Sequence, residues 1–77
     1  MRKVFVQLNA NFSLDGELTP QSFIWEDGTC YEIDRVYEHK MSASLKVGGH
    51  GMRYRCRVME KDVFIFFEEG RWFMEAK

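Results

Sequence analysis

The chain has 77 residues, 45% of them hydrophobic and 16% aromatic, with 11 basic against 12 acidic side chains and a net charge of −1. That length allows one core and excludes a second domain, and the near-neutral balance excludes a global attraction to nucleic acid or anionic membrane, so any such affinity must come from local segregation of charge. Two cysteines are too few for a disulfide scaffold, and the longest apolar run, residues 63–67, is far short of the roughly 20 residues a membrane helix needs.

The opening "MRKVFVQLNANF" alternates apolar and polar side chains with period two and lacks the apolar block of a signal peptide. It predicts a strand over residues 3–12 and, with the unpaired cysteines, a reducing cytoplasm with no membrane contact. "SLDGELTPQ" is rich in turn formers, and its Thr19-Pro20 suits a single helical or 3₁₀ turn. Strands follow over residues 22–26 and 29–39, joined at Asp27-Gly28, a pair that tolerates the two positive φ values of a type I′ turn. That turn sets Trp25 across from Cys30.

From His39 to Arg55, "HKMSASLKVGGHGMRYR" joins two strands over about eleven small or Gly-rich positions, longer than a simple hairpin needs. Gly48, Gly49 and Gly51 can turn their amides inward as an anion nest beside Lys46 and Arg53. No Gly-Lys-Ser/Thr heads a helix here, so this is not a P-loop, and a flexible connection or barrel corner outweighs anion capture. The last strands fall over residues 51–59, 62–68 and 71–75. A two-residue turn at Glu69-Gly70 pairs Glu68 with Arg71, Phe67 with Trp72, Phe66 with Phe73 and Ile65 with Met74. A weaker turn signal at Glu60-Lys61 pairs Val58 with Val63, Cys56 with Ile65 and Tyr54 with Phe67.

No segment carries an apolar stripe at helical spacing over three turns, so the fold class is all-β. The expected form is a small antiparallel sheet of five or six strands, strongly bent or closed into an SH3-like barrel; a flatter sheet that dimerises through one face fits the same pattern. Val4, Val6, Leu8, Phe23, Trp25, Ile33 and Val36 complete its core.

Alternation then sorts the last three strands into two faces. One collects Tyr54, Cys56, Val58, Val63, Ile65, Phe67, Trp72 and Met74 and carries no charge. The other holds Arg53, Arg55, Arg57, Phe64, Phe66, Phe73, Arg71, Glu68 and Glu75. As a plain exterior, this second face would align Arg53, Glu68 and Arg71 as an ion-paired row and lay Arg55 and Arg57 over Phe64 and Phe66. As an interface, its three phenylalanines would be covered by the first strand or a second protomer. As a single-stranded nucleic-acid surface, its rings would stack bases and its arginines hold phosphates. Glu68, Glu75, Glu26, Glu32 and Asp34 dilute the positive charge and rank the nucleic-acid reading last.

Cys30, His39, His50 and Cys56 match the ligand types of a zinc site, but no two have knuckle spacing and Cys56 falls on the core face, so no metal or cofactor is expected. Glu32 and Asp34 serve as ion-pair partners as readily as an acid/base pair, and no nucleophile and base are marked out together. The chain is thus read as a non-enzymatic binding or protein-interaction module, forming a homodimer or meeting a protein partner through Arg53, Arg55, Arg57, Phe64, Phe66 and Phe73. The alternative is single-stranded nucleic acid or another anionic ligand on the same face and the loop of Lys46, Gly48, Gly49 and Gly51.

The runs "SFIWEDGTCYEIDRV", "SLKVGGHGMRYRCRV" and "FFEEGRWFMEAK" resemble those of a family of short, uncharacterised bacterial proteins, chiefly from clostridia, over almost the whole chain. The resemblance implies one compact β domain as the entire protein in a bacterial cytosol. It implies no activity, cofactor, partner or site residue.

Overall fold

The computed structural model describes residues 2–43 and 50–76. Its strands are β1 (Arg2–Phe5), β2 (Gln7–Phe12), β3 (Leu18–Ile24), β4 (Cys30–Glu32), β5 (Arg35–Ala43), β6 (His50–Val58), β7 (Lys61–Glu68) and β8 (Arg71–Ala76), with no helix among the described residues. They form a five-stranded sheet in the order β1-β8-β7-β6-β5 and a three-stranded sheet in the order β2-β3-β4, every pairing antiparallel.

The all-β antiparallel class is therefore the one the alternation predicts, but the sheets are not closed into a barrel. Two stretches expected as single strands each pass from one sheet to the other. The first breaks at Val6, whose N–H donates to the Trp72 carbonyl at 3.1 Å in the large sheet, while Gln7 already pairs with Ile24 in the small one. The second breaks at Ile33-Asp34: Ile33 N–H donates to Gln21 of the small sheet at 2.9 Å, and Asp34 N–H to Arg57 of the large sheet at 2.8 Å. Both corners thus keep their backbone donors paired as the chain passes from one sheet to the other.

Between the sheets lie Val4, Val6, Phe23, Tyr54, Cys56, Val58, Ile65 and Met74, all buried, with Leu8, Trp25, Ile33 and Val36 packed partly buried against them. Every residue expected in the core is in it. The Tyr54 hydroxyl donates to the Leu18 carbonyl at 2.7 Å, tying β6 to β3 across the core.

The hairpins divide by sheet. In the small sheet, Ser13 to Glu17 and Trp25 to Thr29 close in the same way. Ser13 N–H donates to Glu17 at 2.8 Å and Gly16 N–H to Ser13 at 3.0 Å; Trp25 N–H donates to Thr29 at 2.8 Å and Gly28 N–H to Trp25 at 2.9 Å. Only the glycine of each Asp-Gly pair has positive φ, 85° at Gly16 and 88° at Gly28. These are three-residue loops, a type I turn followed by a left-handed glycine, and not the type I′ turn expected at Asp27-Gly28. Asp27 stays right-handed because its carboxylate accepts the Thr29 N–H at 2.9 Å. The extra loop residue places Trp25 across from Thr29 and sets Ile24, not Trp25, opposite Cys30.

The β6–β7 and β7–β8 connections of the large sheet are type I′ turns. Glu69-Gly70, with φ 51° and 77°, pairs Glu68 with Arg71, Phe67 with Trp72 and Phe66 with Phe73 as expected, and the ladder stops short of Ile65 and Met74. The β6–β7 turn is Met59-Glu60, with φ 50° and 65°, in place of Glu60-Lys61. This moves the register by two residues, so Cys56 meets Val63 and Tyr54 meets Ile65. An even shift leaves every side chain on its expected face.

The helical turn expected at Thr19-Pro20 is absent: both residues lie in β3. Pro20 is fully buried opposite Ala10, where a bulge interrupts the β2–β3 ladder. An irregularity of that kind removes the need for the N–H that proline lacks.

Candidate functional site: the outer face of the large sheet

Because Val4, Cys56, Ile65 and Met74 point into the core, their neighbours along each strand point to the outer face of the five-stranded sheet. Register places Phe5, Phe73, Phe66, Arg53 and Lys40 in one row across all five strands. The first three form an aromatic row: Phe66 and Phe73 stack with centroids 5.0 Å apart, and Phe5 meets Phe73 edge-on at 5.7 Å. Phe73 is only 5% exposed although it faces away from the core, whereas Phe64 is 43% and Phe5 49% exposed. Of the three phenylalanines singled out from the sequence, one is buried, Phe66 is half-buried and only Phe64 is open.

Cations cap the rings. Arg53 lies 4.9 Å from the Phe64 centroid, Lys3 4.6 Å from Phe73, Arg71 4.3 Å from Phe5 and Arg55 4.7 Å from Tyr37. The expectation that Arg55 and Arg57 would cover Phe64 and Phe66 is thereby corrected. The two-residue register shift is the cause, since it moves Arg53 opposite Phe66, Arg55 opposite Phe64 and Arg57 opposite Asp62.

The same shift removes the expected ion-paired row. Glu68 lies between Arg71 and Gly51, not Arg53. Arg55 instead is 3.6 Å from both Glu38 and Asp62. Among the described residues Arg53, Arg57, Arg35 and Lys40 make no ion pair. The β5–β6 ladder sets Lys40 directly opposite Arg53 and Arg35 directly opposite Arg57, on either side of the Glu38–Arg55 pair. Like charges so placed repel.

Lys46, Gly48 and Gly49 lie outside the described residues. Gly51 is buried, and a Cβ there would collide with the Glu68 side chain and come within 3.0 Å of the Phe67 carbonyl oxygen. Its glycine is thus accounted for by the close approach of β7.

Sequence reasoning missed Lys40, Arg35, Glu38 and Tyr37 on β5 and Lys3 and Phe5 on β1. The signal on β1 was visible, since Lys3 and Phe5 alternate with the apolar Val4 and Val6. On β5 a bulge between Val36 and Glu38 breaks the alternation.

Two carboxylates counted against the basic face, Glu26 and Glu32, belong to the small sheet and its hairpin, whereas Asp34 stands at the corner with its N–H already on Arg57 of the large sheet. The stretch 7–34, which builds the small sheet, holds six carboxylates and no lysine or arginine. That stretch has net charge −6, leaving +5 on the rest of the chain. The two sheets are therefore opposite in sign.

Other reactive groups lie apart from this face. Cys56 is fully buried, and burial pushes its thiol up to about 11, which keeps it protonated and a poor nucleophile. Cys30 is exposed. Among the described residues no three His, Cys, Asp or Glu side chains converge as metal ligands, and no helix is long and apolar enough to cross a membrane.

The chain matches no protein-family model, no curated protein and no solved structure, so the resemblance to short clostridial proteins rests on its three stretches alone.

Proposed function

We propose that this domain is a non-enzymatic, cytoplasmic protein-interaction module that takes an acidic protein segment on the outer face of its large sheet. The observation that carries the reading is the β5–β6 ladder, with Lys40 opposite Arg53 and Arg35 opposite Arg57. Each like-charge pair is destabilising in the free protein, and a carboxylate laid between the strands turns that repulsion into attraction. Exposed Phe64 and Phe5 beside the cations add apolar contact, the mixture of aromatic and arginine side chains that interfaces favour.

Single-stranded nucleic acid is the second reading, favoured by the removal of Glu26 and Glu32 from this face. It ranks lower because Phe5, Phe64 and Phe73 already carry a cation, which a stacking base would have to displace.

The test is a titration of the whole chain, followed by amide chemical shifts, with a glutamate-rich peptide and a single-stranded oligonucleotide of equal net charge. The peptide should bind in a salt-sensitive way, shift β5 and β6, and lose most of its affinity in Lys40→Gln/Arg53→Gln. Indifference of peptide binding to those two substitutions would overturn the reading, and stronger binding of the oligonucleotide would replace it with the second. Sedimentation at low salt shows whether the acidic surface can be the small sheet of another copy.

A further inference from the structure

The two sheets part at one end of the core. There Phe23, Trp25 and Tyr31 of the small sheet and Val58, Val63 and Met74 of the large one line a shallow opening of about 530 Å3, much of it facing solvent. Phe23, itself buried, stacks at 5.4 Å on the half-buried Tyr31 behind this opening. Among the described residues Lys61 is the one charged residue lining this opening, and its ammonium has no ion-pair partner among them. The chemistry is that of an apolar slot with a single cation at its rim.

A second, independent feature sits at the same place. Met59, which also lines the opening, is 68% exposed. It occupies the first of the two left-handed positions of the β6–β7 turn, with φ 50°, and Glu60 follows at 65°. Side chains with a Cβ adopt that region at a cost that Asn-Gly, the usual pair for this turn, largely avoids. Met59 thus presents an exposed, adaptable thioether at the edge of this opening.

We propose that this opening binds a small amphipathic monocarboxylate, its apolar body between the sheets and its carboxylate on the Lys61 ammonium, with Met59 closing over it. The site is separate from the outer face and does not depend on the role given to that face.

Decanoate and its uncharged counterpart decan-1-ol test this on the whole chain, with amide and indole chemical shifts as the readout. Decanoate should shift Trp25, Tyr31, Val58, Met59 and Val63. Lys61→Gln should weaken decanoate about tenfold, as expected for a charge-assisted contact, and leave decan-1-ol unchanged. Arg53→Gln should leave both unchanged. Met59→Asn/Glu60→Gly should raise the melting temperature by about 4–8 °C while decanoate affinity falls. The proposal is overturned by shifts confined to the outer face, by a Lys61→Gln effect equal for acid and alcohol, or by undiminished decanoate binding in the Asn-Gly variant.

Discussion

Phe73 and Phe64 share one face of one sheet and differ almost ninefold in exposure, 5% against 43%. Phe73 is enclosed because Phe5 and Phe66 flank it in the row and Lys3 lies above it; among the described residues Phe64 has the Arg53 guanidinium alone over it. Truncation should separate them by stability. Phe73→Ala should cost about 3–5 kcal/mol in urea unfolding, and Phe64→Ala under about 1 kcal/mol while weakening the acidic peptide. Equal costs would mean that the outer face is not layered in this way. Period-two alternation was enough to assign both side chains to this face. Their burial was not legible, because it depends on β1 lying beside β8, a pairing between residues at opposite ends of the chain that no local signal encodes.

At the scale of elements, the turns show where local chemistry reads reliably and where it does not. Glu69-Gly70 gave the right register because both positions are left-handed. Asp27-Gly28 has an equally strong composition, yet the Asp27 carboxylate takes the Thr29 N–H and draws the residue into a right-handed type I position. This hairpin also carries a pH dependence. The Thr29 backbone N–H holds the Asp27 carboxyl below its ordinary value of 3.8. A hydrogen bond from Arg2 holds Glu26 below its ordinary 4.5, within a two-pronged pair at 2.8 and 3.1 Å that joins β1 to the hairpin. Both folded values are depressed, so the stabilisation is present above the ordinary carboxylate range and is lost as pH falls through the lowered values. Urea midpoints of the parent should therefore drop between about pH 5 and pH 2, and Arg2→Gln/Asp27→Asn should flatten part of that drop. A variant curve parallel to the parent's throughout would show that neither carboxylate contributes.

The whole molecule is two sheets sharing one core, and neither sheet has a core of its own. Phe23 of β3 packs with Ile65 and Cys56 of the large sheet in one cluster, while five of the six residues of β2 are exposed and only Leu8 is half-buried. Three short strands with so little buried surface of their own are not stable in isolation. This shared core is why the six expected strands became eight: nothing local at Val6, neither glycine nor proline, marks the corner, which exists because the apolar side chains on both sides of it must reach the same interior. The sheets should consequently unfold together. Native-state hydrogen exchange should give β3 and β7 amides the same opening free energy, close to that of global unfolding. Tyr54→Phe, which leaves the Leu18 carbonyl without its donor, should lower both by about 1 kcal/mol, although only β3 loses a bond. If β3 alone became faster, the small sheet would be a separable unit and the core between the sheets would not be what holds it.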